Sequence, residues 1–357
     1  MSDPIRVGDP IRVGVVGAGF FGTMIASACA GHESFVVAAV ADAVPDAARR
    51  LAEAHDARPY PSFTELVDDD AVDLVVVATP NHLHAEPAVA ALQGGKHVFV
   101  EKPLGIDEDS VGSILAAARG ARGRLIIGHV MRSFPGVRRM VAQARRGDLG
   151  EIIEAAGARR RVVHLPDDPG DWWKLDRRRS GGELLHEIHE LDLVVWALGE
   201  PSEVLSMTGA PLAHGEHMVD SDIVTELRTP SGALGRHSVS TSAHRAEWWF
   251  RISGTEASVE ADFRAGTVTR YEDGLIAEVT GVFDHPASDE SLRESAETAQ
   301  SYNTGGPGPL WMRTAVACEL DEVAAAVRGT STTLTEHPAT AALVAIRANA
   351  LTAETAR

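Results

Sequence analysis

Ile11-Arg12-Val13-Gly14-Val15-Val16-Gly17-Ala18-Gly19-Phe20-Phe21-Gly22 reads as a short apolar strand, a glycine-rich turn and the first residues of a helix. A GxGxxG taken alone is a weak signal, because glycine-rich turns are common. Here the turn follows a strand over 11–16 and opens a helix over 22–30, and an acid, Asp42, stands twenty residues beyond Gly22 at the end of a second apolar run over 35–41. That context predicts a dinucleotide-binding βαβ unit. Gly17 permits the tight turn, Gly19 lets the backbone approach a pyrophosphate, and Gly22 lets helix and strand pack closely. The helix start offers free amides to the anion, with Phe20 and Phe21 beside it. Asp42 accepts hydrogen bonds from an adenosine ribose and repels a 2′-phosphate, which favours NAD. Arg49 and Arg50 keep NADP as the lesser alternative.

Working outward, strand-like runs over 74–78 and 97–100 each precede a turn and a helical stretch, as does the helix over 45–55 that follows the second strand. The rhythm predicts an α/β domain, a doubly wound parallel sheet, over residues 10–125. Beyond about Gly150 long alternating segments appear, at 151–163, 223–227, 234–242 and 248–252, which predict an α+β domain over 126–357 with an open, mainly antiparallel sheet. Residues 284–309, rich in Ser, Gly, Pro, Asp and Glu, read as a long loop. Helices over 310–328 and 338–352 close the chain and are free to pack back on the first domain.

A chain of 357 residues with 44% apolar and 24% charged residues is globular and too long for one ordinary core. Its 51 acidic against 33 basic residues, a net charge of −18, repel nucleic acid and anionic membranes and leave a small molecule as the expected partner. Arg159-Arg160-Arg161 and Arg177-Arg178-Arg179 read as solvated edges. Cys29 and Cys318, far apart in apolar helical patterns, read as buried thiols of a reducing cytoplasm, and no zinc motif can be built from them. The apolar run 13–30 lacks a positive leader, and its glycines argue against a membrane span. The hexapeptide DPIRVG occurs twice, at 3–8 and 9–14; only the second copy continues into the strand, so the first reads as a dispensable extension.

Three further stretches carry chemistry. Thr79-Pro80-Asn81-His82-Leu83-His84 follows a buried strand, where an open α/β sheet places its ligands, although Pro-Asn is also ordinary turn chemistry. In Glu101-Lys102-Pro103 a lysine at a strand end, held extended by the proline, points into the same cleft and polarises a substrate hydroxyl; read by itself it is a surface lysine. Ser180 to Asp192, SGGELLHEIHELD, is open to three readings: a metal site, a proton-transfer site, or the polar rim of a helix.

Together these stretches, with Gly128-His129-Val130-Met131-Arg132 and Pro135, the turn Gly147 to Glu151, Trp173-Lys174-Leu175-Asp176 and Gly199-Glu200-Pro201, resemble in order and spacing the Gfo/Idh/MocA family of sugar and cyclitol oxidoreductases. The resemblance implies an N-terminal Rossmann domain and a C-terminal open sheet that forms a subunit interface, hence a homodimer or homotetramer. It implies an inositol dehydrogenase-like hydride transfer between C4 of a nicotinamide and a carbinol carbon. Lys102 takes the place of the family's catalytic lysine and His189 that of its proton acceptor. Thr79, Pro80, Asn81, His84, Glu101 and Lys102 fall on the cofactor side. The family Asp four residues before the histidine is absent: Leu185 stands there and His186 sits three before, so either His186 replaces that acid or the relay differs.

Read as a helix over 184–198, the stretch puts His186, His189 and Glu190 on one face and Glu187 elsewhere, with Asp192 placed to orient the His189 imidazole. HEIH is one residue short of the HExxH zinc signature and lacks a third ligand, so no metal is expected. The preferred chemistry has His189 taking the hydroxyl proton, Lys102 assisting, and His186 relaying or holding a substrate hydroxyl. Substrate candidates are His129, Arg132, Trp172, Trp173, Lys174 and Asp192, with His164, His237, His244 and Tyr302 behind them. Trp248 and Trp249 are expected to pack in the second sheet or its interface. The alternatives are an NADPH-dependent keto-sugar reductase and a non-catalytic cofactor-binding regulator.

Overall fold

The computed structural model describes residues 8–163, 172–201, 203–214, 217–298, 308–330, 332–336 and 339–355. His164, Tyr302 and most of the first DPIRVG copy lie outside them.

The chain divides into two compact units. The first holds six strands: β1 (Ile11–Val16), β2 (Phe35–Ala41), β3 (Arg58–Tyr60), β4 (Leu74–Val77), β5 (His97–Glu101) and β6 (Leu125–Gly128). They pair only in parallel, in the order β3-β2-β1-β4-β5-β6. The reason is legible in residues such as Leu74-Val75-Val76-Val77, buried along their whole length: a strand covered on both faces by helices carries no polar alternation. Val13, Val15, Val37, Leu74, Val76, Phe99 and Ile126 form one core, and Val316, Leu320 and Val323 from the helix Leu310–Val327 complete it. Residues Ala315–Ala339 therefore belong to the first unit, together with everything through Val130.

The second unit carries β7 (Ile152–Val162), β8 (Glu203–His214), β9 (His217–Arg228), β10 (Leu234–Ser240), β11 (Ser242–Gly254), β12 (Ala257–Asp262), β13 (Thr267–Glu272) and β14 (Leu275–Gly281). Their order is β14-β13-β12-β11-β7-β10-β9-β8, antiparallel throughout except for the parallel pair β7 and β10. The helix His189–Leu198 packs on β7. Gly157 makes this approach possible, since a Cβ there would lie 3.1 Å from Glu190 Cβ.

Four expectations are corrected. Residues 284–309 contain the helix Pro286–Thr298, whose Ser288, Leu292 and Ser295 are buried at helical spacing; the polar composition concealed a one-sided pattern. The helix over 184–198 is two helices, Glu183–His186 and His189–Leu198, parted at Glu187 with φ −104° and ψ 44°. Arg159 is not a solvated edge residue, because β7 is a central strand flanked by β10 and β11. Cys318 is only half-buried, whereas Cys29 is buried and its thiol is pushed up to about 12 by that burial.

Candidate active site

The glycine-rich turn of the first unit is built as its spacing requires. Gly17 has φ +101°, and a Cβ there would meet Ala78 O at 2.6 Å. A Cβ on Gly22 would fall 1.8 Å from Gly17 O, so both positions admit only glycine. Gly19 differs, since a Cβ there would meet no protein atom within 4 Å. The space over Gly19 is thus open to a ligand. The helix Phe20–Ala30 starts here with no side-chain cap, leaving its first amides to an anion. The Asp42 carboxylate sits beside the turn, accepting from Ala18 N at 2.7 Å and Val44 N at 2.7 Å. Arg49 is ion-paired with Asp46 on its own helix. Open space above glycine, uncapped amides and a carboxylate at the second strand end fit a dinucleotide with an unphosphorylated ribose.

At the ends of β4 and β5 the structure separates the motif residues by task. Thr79 Oγ1 is buried without a partner, as a group awaiting a ligand would be. Asn81 is buried. His84, expected to touch the cofactor, is 1% exposed and spans two carbonyls instead: Nδ1 lies 2.8 Å from Pro103 O and Nε2 2.9 Å from Thr79 O. Burial pushes its pKa down to about 4 against those two contacts. It sits between the β4 end and the turn that carries Lys102, and as a neutral imidazole it donates to one of the two carbonyls. Burial also lifts the Glu101 carboxyl to about 7, with the Lys102 charge opposing. Glu319, from the helix Leu310–Val327, was not foreseen: it is 3% exposed, its Oε1 has no partner, and burial followed by the Glu101 charge raises its pKa well above the usual range. His129, just after β6, is buried, with its backbone N–H donating to Ile127 O at 2.7 Å.

In the second unit His186 and His189 are half-buried while Glu187 and Glu190 are buried, so the break in the helix sorts imidazoles from carboxylates. Glu190, expected beside the histidines, turns to the sheet and accepts from Trp248 Nε1 at 2.7 Å. Trp248, half-buried, packs edge-on to Trp311 at 5.7 Å. Trp173 stands edge-on to His186 at 5.9 Å, and Lys174 Nζ lies 5.2 Å from the Trp172 ring centroid, so three substrate candidates gather beside one of the catalytic candidates. Arg132 and Asp192 are 1% exposed and bonded to each other, which assigns them to the interior. His237 is buried and His244 is exposed. Glu187, set apart from the histidines by helical spacing, instead meets Arg159 and Arg161, expected at a solvated edge; the equal parity of these two β7 residues was the available signal.

Residues 11–129 match the family model described as an oxidoreductase family with an NAD-binding Rossmann fold, and residues 137–260 match that family's C-terminal domain model. The chain belongs to the Gfo/Idh/MocA family. This Gfo/Idh/MocA oxidoreductase is 31% identical over 322 residues to the 2,7-anhydro-N-acetylneuraminate hydratase of Escherichia coli, covering 87% of this chain and 84% of that one. It is 28% identical over 291 residues to the levoglucosan dehydrogenase of Pseudarthrobacter phenanthrenivorans, covering 70% and 73%. The solved structure of levoglucosan dehydrogenase with NADH shares its fold, with a TM-score of 0.79 at 23% identity over 98% and 97% of the two chains. Gfo/Idh/MocA membership makes residues 11–129 an NAD-binding Rossmann domain. Among the described residues no helix is long and apolar enough to cross a membrane, and no His, Cys, Asp and Glu group is arranged to hold a metal ion.

Proposed function

We propose that the protein is an NAD-dependent dehydrogenase that moves a hydride between nicotinamide C4 and a secondary alcohol carbon of a cyclic sugar or cyclitol. The observation that carries this reading is Lys102, which directly follows β5 of the NAD-binding sheet, next to the half-buried Glu101. When bound, NAD supplies the hydride acceptor. The Lys102 ammonium stabilises negative charge developing on the substrate oxygen, and His189 takes the hydroxyl proton. His186 relays that proton or holds a neighbouring hydroxyl, beside a platform of Trp172, Trp173 and Lys174. Asp42 selects NAD over NADP. The apolar edge strand β14, with Leu275, Ile276 and Val279 exposed, supports assembly as a homodimer or homotetramer.

The test is NAD reduction followed at the nicotinamide absorbance with inositols, anhydrosugars, amino sugars and sugar phosphates. Lys102→Met and His189→Ala should each lower kcat by roughly 100-fold or more while NAD still binds. Undiminished turnover in either variant removes that residue from the mechanism.

A second reading is favoured by the Escherichia coli hydratase at 31% identity and by a Mediterraneibacter gnavus protein of the same name at 28%. Net addition of water moves no electrons, so a hydride withdrawn from the sugar must be returned to it within one turnover. Product formation from an anhydrosugar at substoichiometric NAD, without NADH accumulation, selects this reading.

A further inference from the structure

The break between the helices Glu183–His186 and His189–Leu198 falls at Glu187, a residue the chemistry above does not use. Its side chain is 12% exposed and is held by two arginines. Arg161 donates to Oε1 at 2.8 Å, and Arg159 Nε lies 3.4 Å from Oε2. Both arginines stand on β7, two residues apart and so on one face of the sheet. Arg159 is itself held over the Trp248 ring at 4.7 Å, which fixes the direction of its guanidinium.

Two carboxylates of one short segment thereby acquire different states. Burial opposes ionisation of Glu187, but Arg161 and then Arg159 outweigh it and hold its carboxyl well below the usual range. Burial raises Glu190, against Arg159 and with the Glu187 charge adding to the rise. Environments that drive neighbouring carboxyls apart in this way divide roles between them. Glu187 is the fixed anion; Glu190 packs against the Trp248 indole. Two titratable side chains face that anion. His186 precedes it in the chain and interacts with it electrostatically. His237 rises from β10 opposite Gly157 of β7, 1% exposed and with neither ring nitrogen hydrogen-bonded. The other charged groups around the break are Glu183 on the same short helix, which acts on Arg161, and Lys174 and Arg177 on the segment before it.

We propose that Glu187 is a positioning residue for the proton relay: a permanently charged carboxylate, clamped by Arg159 and Arg161, that stabilises the protonated form of His186. The inference rests on the acid–base reading of His186 and His189 given above, but its own readout does not need turnover. An anion at this position favours imidazolium, and the guanidiniums behind it disfavour imidazolium. Removing either kind of charge must then move the histidine in opposite directions. A role confined to packing produces no such reversal.

The experiment is an NMR pH titration of the His186 ring in the full chain with NAD present, the resonance assigned through its loss in His186→Gln. Glu187→Gln is isosteric and should lower the His186 pKa by about one unit or more. Arg161→Gln, at a position whose side chain is 37% exposed, should raise it. Glu187→Asp, which restores the charge, should return it towards the native value. A His186 pKa unmoved in folded Glu187→Gln, or a fall in Arg161→Gln, overturns the proposal. If Glu187→Gln does not fold, the sign of the Arg161→Gln shift decides alone. NAD reduction with levoglucosan or myo-inositol is measured in parallel with His189→Ala. Full turnover in that variant overturns the acid–base reading itself, whereas a dead His189→Ala with an unmoved His186 overturns only the role of Glu187.

Discussion

Arg132 and Asp192 are paired inside the second unit: Arg132 Nε and Nη2 donate to the two Asp192 oxygens at 2.8 and 2.6 Å, with both side chains 1% exposed. The guanidinium also lies 5.6 Å from the Trp196 ring centroid, so the pair ties the turn after β6 to the helix His189–Leu198. Asp192→Ala removes the carboxylate from a buried guanidinium and should destabilise the protein by about 3–5 kcal/mol. The double variant Arg132→Met, Asp192→Leu should recover much of that loss, because both members of the buried pair are replaced by apolar groups. Urea unfolding of the two proteins checks both statements; equal losses would show that the pair is not the source of the effect.

Gly19 and Gly22 should respond differently to the same added methyl group. Gly22→Ala drives a Cβ to 1.8 Å from Gly17 O and should disrupt the turn, lowering Tm and NAD binding together. Gly19→Ala meets no protein atom within 4 Å and should leave Tm intact while weakening NAD, because the methyl occupies the pyrophosphate's approach. Normal NAD affinity in Gly19→Ala would place the cofactor elsewhere.

Asp42 braces the turn through Ala18 N and Val44 N, and in the proposed function it also receives the adenosine ribose. The native protein should bind NAD at least ~10-fold more tightly than NADP, since a 2′-phosphate brought against a carboxylate is repelled by more than about 1.4 kcal/mol. Asp42→Ser should weaken NAD and narrow the ratio. Titration with the two oxidised cofactors measures both; a native preference for NADP would overturn the assignment.

His237 is buried and its pKa is pushed down to about 4 from the usual 6.5 by burial, with Glu187 opposing. The folded state therefore binds this proton less readily than the unfolded chain. The associated stability is fully present above pH 6.5 and is lost as pH falls towards 4, by on the order of 3 kcal/mol. His84, lowered to about 4 by the same cause, acts in the same sense, while the raised Glu101 acts in the opposite one, so the measurement must be a difference. His237→Leu should lose less stability than the native protein between pH 7 and pH 4.5. Parallel curves would show that His237 is not charged on unfolding.

The first unit was legible because its signals are local. A buried strand announces itself by an unbroken apolar run, and the three glycines and Asp42 lie within one βαβ span. The alternating segments after Gly150 likewise announced an antiparallel sheet. Beyond that point sequence spacing failed in a consistent way. It placed Glu190 with the histidines and Glu187 away from them, because it assumed one continuous helix. It set Arg159 at a solvated edge, because nothing near residue 159 states that β7 is central.

The sequence by itself determined the class of each unit and most of the elements of the first, and it supplied the glycine-rich turn as a cofactor-site candidate, since these are written in residues a few positions apart; Lys102 and His189 are candidates through the family resemblance. Only the tertiary structure decided which charges meet: Arg132 with Asp192, His84 with Pro103 O, Glu187 with Arg159 and Arg161. Sixty residues of chain separate Arg132 from Asp192. The physical reason is that strand order, register and the parity of a central strand are set by burial over the whole unit, and a buried charge takes its state from whichever partner that arrangement brings to it.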